Sequence, residues 1–254
     1  MKILIVDDSP AEVRLMQAVL EQAGYWSVAI NDPAFAAACR RFGLPLNMVE
    51  VGASGGLLSN WDHYWYDCFG QTAGEGSSVV RFTNRWTDPF PLDGLSRVAR
   101  RTACDIAPLD VAGQEGRLRL LSFVWPDQHD RLALLRSALD VAAAHPPSVE
   151  QQDAADFLAR ELPARPRDTL TIVFHSIVWQ YLPRTTKERM REVLHTEGAQ
   201  AGADNPISWV RMEPAGAVAD VRVTTWPGGR EQVVALTSYH GADVRQPPAD
   251  TRET

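Results

Sequence analysis

Lysine is almost missing from this chain: of its 25 basic residues only Lys2 and Lys187 are lysines, and the rest are arginine. Any site that needs a lysine between those two positions is thereby excluded. Cysteine is scarce as well. Cys39, Cys68 and Cys104 are odd in number and widely spaced, which argues against a disulfide framework or a zinc knuckle and fits a reducing cytoplasm. A basic excess is missing too, since the net charge is −7 and the pI is near 5.4. Neither nucleic acid nor an anionic membrane is therefore an expected partner. Long apolar runs are the last absence. MKILIVDD has a short apolar stretch, Ile3 to Val6, before two aspartates, too short for a signal peptide, and no later run is long enough to span a bilayer. The reading is a cytoplasmic protein. With 45% hydrophobic and 22% charged residues, it has enough apolar material for a sizeable core.

What is present alternates between two periods. KILIV (2–6) reads as a buried strand, residues 10–23 as an amphipathic helix stopped by Gly24, and WSVAI as a second strand. A helix at 34–42 precedes a third strand, LNMVEV (46–51). Residues 60–100 are aromatic and loop-like, with VVRF as one short strand. Periodicity returns with a strand near 101–106, helices at 114–124 and 128–144, the break HPP, and a helix at 153–161. TLTIVFH (169–175) is the clearest strand. A helix at 184–197, a strand at 207–212 and two strands around Pro227-Gly228-Gly229 follow. Strands alternating with helices imply an α/β sheet.

NMVEVGASGGL runs from a strand through Glu50 into a glycine turn, and Glu50 admits two readings. Residues 1–33, with strand, acidic pair Asp7 and Asp8, helix, glycine and second strand, resemble the opening of a response-regulator receiver domain. That resemblance implies a magnesium ion on Asp7 and Asp8, with the phosphorylatable aspartate where Glu50 stands. Glutamate carries an extra methylene, and the lysine that receivers use to neutralise the phosphoryl group is absent. Phosphotransfer, and a histidine kinase as partner, are therefore not expected. The plainer reading of the acidic pair is two aspartates at a helix N-terminus.

From about residue 44 onward, VEVGASGGL, the WDHY stretch, CDIAPLDV, LLSFVWPDQHDRLALLRSALDVAAAHPP, DAADFL, VFHSIVWQYLP, WVRMEP, TTWPGG and SYHG together resemble a bacterial family catalogued as domain of unknown function 2332. The chain then divides into a partial receiver-like segment (1–43), a methyltransferase-like domain (44–245) and a disordered tail (246–254). The expected fold is α/β and Rossmann-like. It has a mostly parallel sheet of the class I methyltransferase type with strand order 3-2-1-4-5 and a C-terminal antiparallel hairpin, preceded by the receiver-like βαβ segment.

Glu50, Gly52, Ser54 and Gly56 match the acid and glycine pattern with which class I methyltransferases bind S-adenosylmethionine, the two glycines giving the backbone room to turn. An acid after the second strand, Asp105 or Asp110, would accept from the ribose hydroxyls. Asp153, after the third strand, would accept from the adenine amino group, unless it only caps the helix that starts there. His175, at the carboxyl end of the fourth strand, is the candidate base or orienting group. Tyr64, Trp65, Trp179, Tyr181 and His240 are candidates for the acceptor pocket, and aromatic side chains also fill cores. The leading function is an S-adenosylmethionine-dependent methyltransferase acting on a small-molecule or protein acceptor. The alternatives are a signalling protein with a degenerate receiver segment, or a non-catalytic ligand-binding protein on the same fold.

Overall fold

The computed structural model describes residues 35, 36 and 38–248. The readings placed on residues 1–33, Asp7 and Asp8 among them, lie outside the described residues. The centre is a seven-stranded sheet. Its strands are β1 (Leu46–Val51), β5 (Val98–Asp105), β6 (Val149–Gln151), β7 (Leu170–Ser176), β8 (Ile207–Ala215), β9 (Val218–Trp226) and β10 (Arg230–Thr237). They lie in the order β10-β9-β8-β7-β1-β5-β6. β6, β5, β1, β7 and β8 pair in parallel, and β8, β9 and β10 continue as an antiparallel meander. The first five strands thus take the spatial order 3-2-1-4-5. Both edges of β1 are filled, by β5 and β7, so β1 has no free edge for the strand pairing that a receiver would require.

Two layers cover the sheet, and strand parity decides which residue meets which layer. On β1 and β7, Leu46, Met48, Leu170, Ile172 and Phe174 join one core cluster, while Val49, Val51 and Val173 join the other. The first cluster is covered by helices α1 (Gln114–Ser122) and α2 (His129–Ala144). α2 turns Leu135, Ala138, Leu139 and Ala142 inward, the i, i+3, i+4, i+7 spacing of one helix face. The second cluster is covered by α3 (Ala154–Glu161) and α4 (Arg184–Ala199) through Phe157, Leu158, Met190 and Leu194. Each such fully buried side chain contributes about 1.5–3 kcal/mol of transfer free energy.

Three features depart from the sequence reading. A second, three-stranded sheet of β2 (Trp65–Cys68), β3 (Gln71–Gly74) and β4 (Arg81–Phe82), ordered β3-β2-β4, lies within the stretch read as mostly loop, β4 alone falling in the expected VVRF strand. Its short strands are held from within, Tyr66 stacking on Phe82 at 5.3 Å and donating its hydroxyl to the Trp61 carbonyl at 2.7 Å. Secondly, Phe35 and Cys39, counted with the N-terminal segment, are fully buried in the first cluster, the Phe35 ring lying 5.3 Å from Trp61 and 5.4 Å from Phe174. Thirdly, Gln246, counted with the tail, is tied down: its N–H donates to Asp88 Oδ2 at 2.8 Å and its side chain to the Pro89 carbonyl at 3.1 Å. Residues 249–254 lie outside the described residues. Among the described residues no helix is long and apolar enough to cross a membrane.

Candidate functional site

A cavity of about 570 Å³ opens at the carboxyl ends of the parallel strands, where α/β sheets place their ligands. Glu50 near the end of β1, Gly52 and Ser54 just after it, Asp105 at the end of β5, Asp153 after β6, Ser176 at the end of β7 and Val178 after it all line it. Residues far apart in sequence are brought together here because parallel strands with helical crossovers send all their carboxyl ends to one side.

Glu50 is the buried acid of this set at 2% exposure. Loss of hydration dominates its chemistry and pushes the carboxyl up to about 8, with the negative charge of Asp105 adding to the rise and the Ser59 hydroxyl opposing it. Ser59 hydrogen-bonds to Oε2, and Ser59 is itself fixed by Arg101, whose Nε donates to its carbonyl at 2.9 Å while the guanidinium pairs with Asp62. At neutral pH Glu50 therefore carries a proton and can donate as well as accept. Burial also pushes the neighbouring Cys104 thiol up to about 12, so it stays protonated and unreactive.

The turn after β1 is strapped to the end of β5. Gly52 and Ala53 donate to the Cys104 carbonyl at 2.9 and 3.0 Å, and Ser54 N–H donates to Asp105 Oδ2 at 2.7 Å. Asp105 Oδ1 takes the Ala107 N–H at 2.8 Å. Gly52 has φ +69°, and a Cβ there would stand 2.3 Å from Val178 Cγ2. Its lack of a side chain serves the packing of the β1 turn against the β7 turn. Gly56, with φ +70°, faces Pro147 and Val149 and does not line the cavity.

Asp105 and Asp110 differ in position. Asp105 lines the cavity, whereas Asp110 does not and accepts from Ala112 N–H at 3.0 Å in a local turn. Asp153 does two jobs. Its Oδ1 caps α3 by accepting from Ala155 and Asp156 N–H groups at 2.8 and 3.3 Å, its Oδ2 accepts from the Thr186 hydroxyl at 3.0 Å, and the residue borders the cavity.

His175 does not reach the cavity. The parity that turns Phe174 and Ser176 to one face of β7 turns His175 to the other, where it is 1% exposed and stacks on Trp179 at 5.4 Å. Its Nδ1 donates to Glu213 Oε1 at 2.6 Å, and the same oxygen accepts from the N–H groups of Val178 and Trp179 at 3.2 and 3.1 Å. His175 and Glu213 thus hold the turn after β7, which presents Val178, Tyr181 and Leu182 to the cavity. Tyr181 and His240 line the cavity as the sequence suggests. Tyr64, Trp65 and Trp179 do not. Tyr64 is fully buried, donating to the Leu57 carbonyl at 2.6 Å, Trp65 lies under the Arg81 guanidinium at 4.5 Å, and Trp179 under that of Arg191 at 4.8 Å.

The sequence reading missed the other wall. Arg85, Arg119 and Arg131 line the cavity with Phe82, Leu120, Phe123, Leu134 and Leu135, and Ile106 borders it with 71% of its surface exposed. An apolar residue directly after the Asp105 strand end was a local signal for Ile106. The arginines gave none, because only the packing of α1, α2 and the loop after β4 brings them to the cavity. Apart from the cavity, His63, Glu75 and His145 bring possible metal ligands within 4.8 Å of one another, but the two imidazoles stack at 3.7 Å and 13°. Their in-plane lone pairs therefore lie in separate planes.

Residues 31–246 match a family described as an uncharacterized protein conserved in bacteria, domain of unknown function 2332. The chain belongs to this family. The match takes in every described strand and helix, the whole cavity, and Phe35, whose burial already tied it to this core. A comparison with curated proteins gives no match.

Proposed function

We propose that the cavity binds S-adenosylmethionine and that the protein is a methyltransferase for a small molecule. The observation that carries this reading is the convergence of Glu50 with the β1 turn, Asp105 and Asp153 on one cavity from the ends of three adjacent parallel strands. Carboxylate oxygens have two acceptor sites each. Asp105, with one backbone N–H on each oxygen, keeps capacity for a pair of ribose hydroxyls. Asp153 and its neighbour Gln152, both on the cavity wall, offer the polar groups suited to an adenine edge. Ile106 supplies an exposed apolar surface, and an exposed large aliphatic side chain at the rim of a pocket suits a planar ring. The cavity volume falls within the range of small-molecule sites. The β8-β9-β10 meander closes the far edge of the sheet and lines no part of the cavity, although Glu213 of β8 fixes the β7 turn.

When bound, the cofactor supplies a sulfonium-activated methyl group. The protein's own task is alignment and exclusion of water. The β1 turn is fixed by three of its N–H groups, two donating to the Cys104 carbonyl and one to the Asp105 carboxylate of β5, the β7 turn by Glu213, and protonated Glu50 places a neutral donor instead of a second negative charge beside Asp105. The test is calorimetric titration with S-adenosylmethionine and with its demethylated product. We expect saturable one-to-one binding that weakens roughly tenfold or more in Ile106→Asp, a substitution at an exposed position that leaves the melting temperature within a few degrees. Absence of saturable heat for either compound, or equal affinity in Ile106→Asp, would remove this reading.

A further inference from the structure

The cavity has two chemically different halves. Its acids sit on the sheet edge, and two of them, Asp105 and Asp153, are already engaged by backbone N–H groups. The facing wall is apolar, built by Phe82, Leu120, Phe123, Leu134 and Leu135, and set with three guanidinium groups from separate segments. Arg85 comes from the loop after β4, Arg119 from α1 and Arg131 from α2. Among the described residues the side chains of Arg85 and Arg119 make no hydrogen bond or ion pair. Most other arginines of the core domain are paired: Arg100 with Glu161, Arg117 with Asp140, Arg160 with Glu150, Arg165 with Glu197 and Arg222 with Asp220. In a chain of net charge −7, acids to neutralise two more guanidinium groups are plentiful. Among the described residues none is supplied to Arg85 or Arg119 at this wall.

We propose that the arginine-set half of the cavity takes an amphipathic anion, an apolar body carrying one carboxylate or phosphate, and that this is the class of the methyl acceptor. The acceptor role rests on the methyltransferase reading, while the anion site stands on the cavity alone. The apolar wall supplies the driving force by burying the ligand body. The guanidinium forks fix its head, a planar bidentate recognition that a lysine would not give. Arg85 is well placed for this because its carbonyl also accepts from Val244 N–H at 2.8 Å, which anchors its backbone.

The experiment uses octanoate, octyl phosphate and octanol as probes, titrated calorimetrically into the full chain with and without S-adenosylmethionine. We expect octanoate or octyl phosphate to bind roughly tenfold or more tightly than octanol, the worth of a charge-assisted hydrogen bond. Which of the two anions binds better identifies the head group. The double variant Arg85→Gln, Arg119→Gln should abolish the preference for the anion while octanol binding changes less than about threefold, and Arg119→Lys should restore only part of it. Equal affinity for octanol and both anions, or a preference that survives the double variant, overturns the proposal. If S-adenosylmethionine fails to bind but the anion preference holds, the methyltransferase reading falls and the anion site stands. Cofactor binding without anion preference overturns the anion site and leaves the methyltransferase reading in place.

Discussion

Replacing Glu50 by glutamine keeps the shape and the hydrogen bond to Ser59 while removing the ionisable group, and its effect on stability should depend on pH in a defined direction. In the folded protein burial holds the Glu50 carboxyl at about 8, against 4.5 for the ordinary group. Between those values the native state keeps a proton that the unfolded chain has released. Stability therefore falls as pH rises across the window, by up to about 1.4 kcal/mol per pH unit for one group. The contribution of neutral Glu50 is fully present below pH 4.5 and is lost as pH passes 8. Relative to Glu50→Gln, the wild type should lose roughly 2–3 kcal/mol between pH 5 and pH 7, and roughly 1–2 more by pH 9. Urea unfolding of both proteins at these values gives the difference directly, and taking the difference cancels every other titrating group. A difference that stays flat within about 0.5 kcal/mol, or that moves in favour of the wild type as pH rises, would show that Glu50 is solvated or paired and that the inference from its burial is mistaken.

Three further outcomes follow from the same turns. Gly52→Ala should cost about 1–3 kcal/mol in chemical denaturation, from strain at φ +69° and the contact with Val178, and adding Val178→Ala should recover only the contact part. Asp105→Asn should cost about 1–3 kcal/mol because one of two backbone N–H groups then faces an amide NH₂, while Asp110→Asn, at an exposed local turn, should stay within about 0.5 kcal/mol. Asp153→Ala removes the α3 cap and the acceptor for Thr186 and should cost about 1–2 kcal/mol, read as a lowered thermal midpoint.

The parts legible in the sequence are those with a single period over many residues. Leu170–Ser176 is buried on both faces and centres on the apolar run Ile172-Val173-Phe174, and α2 repeats its apolar positions at helical spacing, so their type is plain. β6 escapes notice because Val149–Gln151 is short, half exposed and defined only by its pairing with β5. Glu50, Asp105 and Asp153 can be placed together because strand ends in a parallel sheet share a side. His175 is misplaced by one step of parity: Phe174 and Ser176, its neighbours, have the cavity face. Tyr64 and Trp65 mislead because an aromatic run states burial without stating against what, and the second sheet that claims them forms from strands of two to four residues. The arginine wall depends on where α1, α2 and the loop after β4 come to rest, a tertiary fact with no local trace.

Phe35 has a practical consequence for anyone dissecting this protein. A fragment begun at residue 44, where the strand pattern invites a cut, would lose the ring wedged against Trp61 and Phe174. Removal of a buried phenylalanine of this kind costs about 3–5 kcal/mol, a large share of the roughly 5–15 kcal/mol by which a domain is held together. The vacated space would border Phe174, the residue paired with Glu50 across the sheet. Water entering there would hydrate the very carboxyl whose dryness sets its proton affinity, so a shortened fragment would report a different acid from the one the intact chain carries.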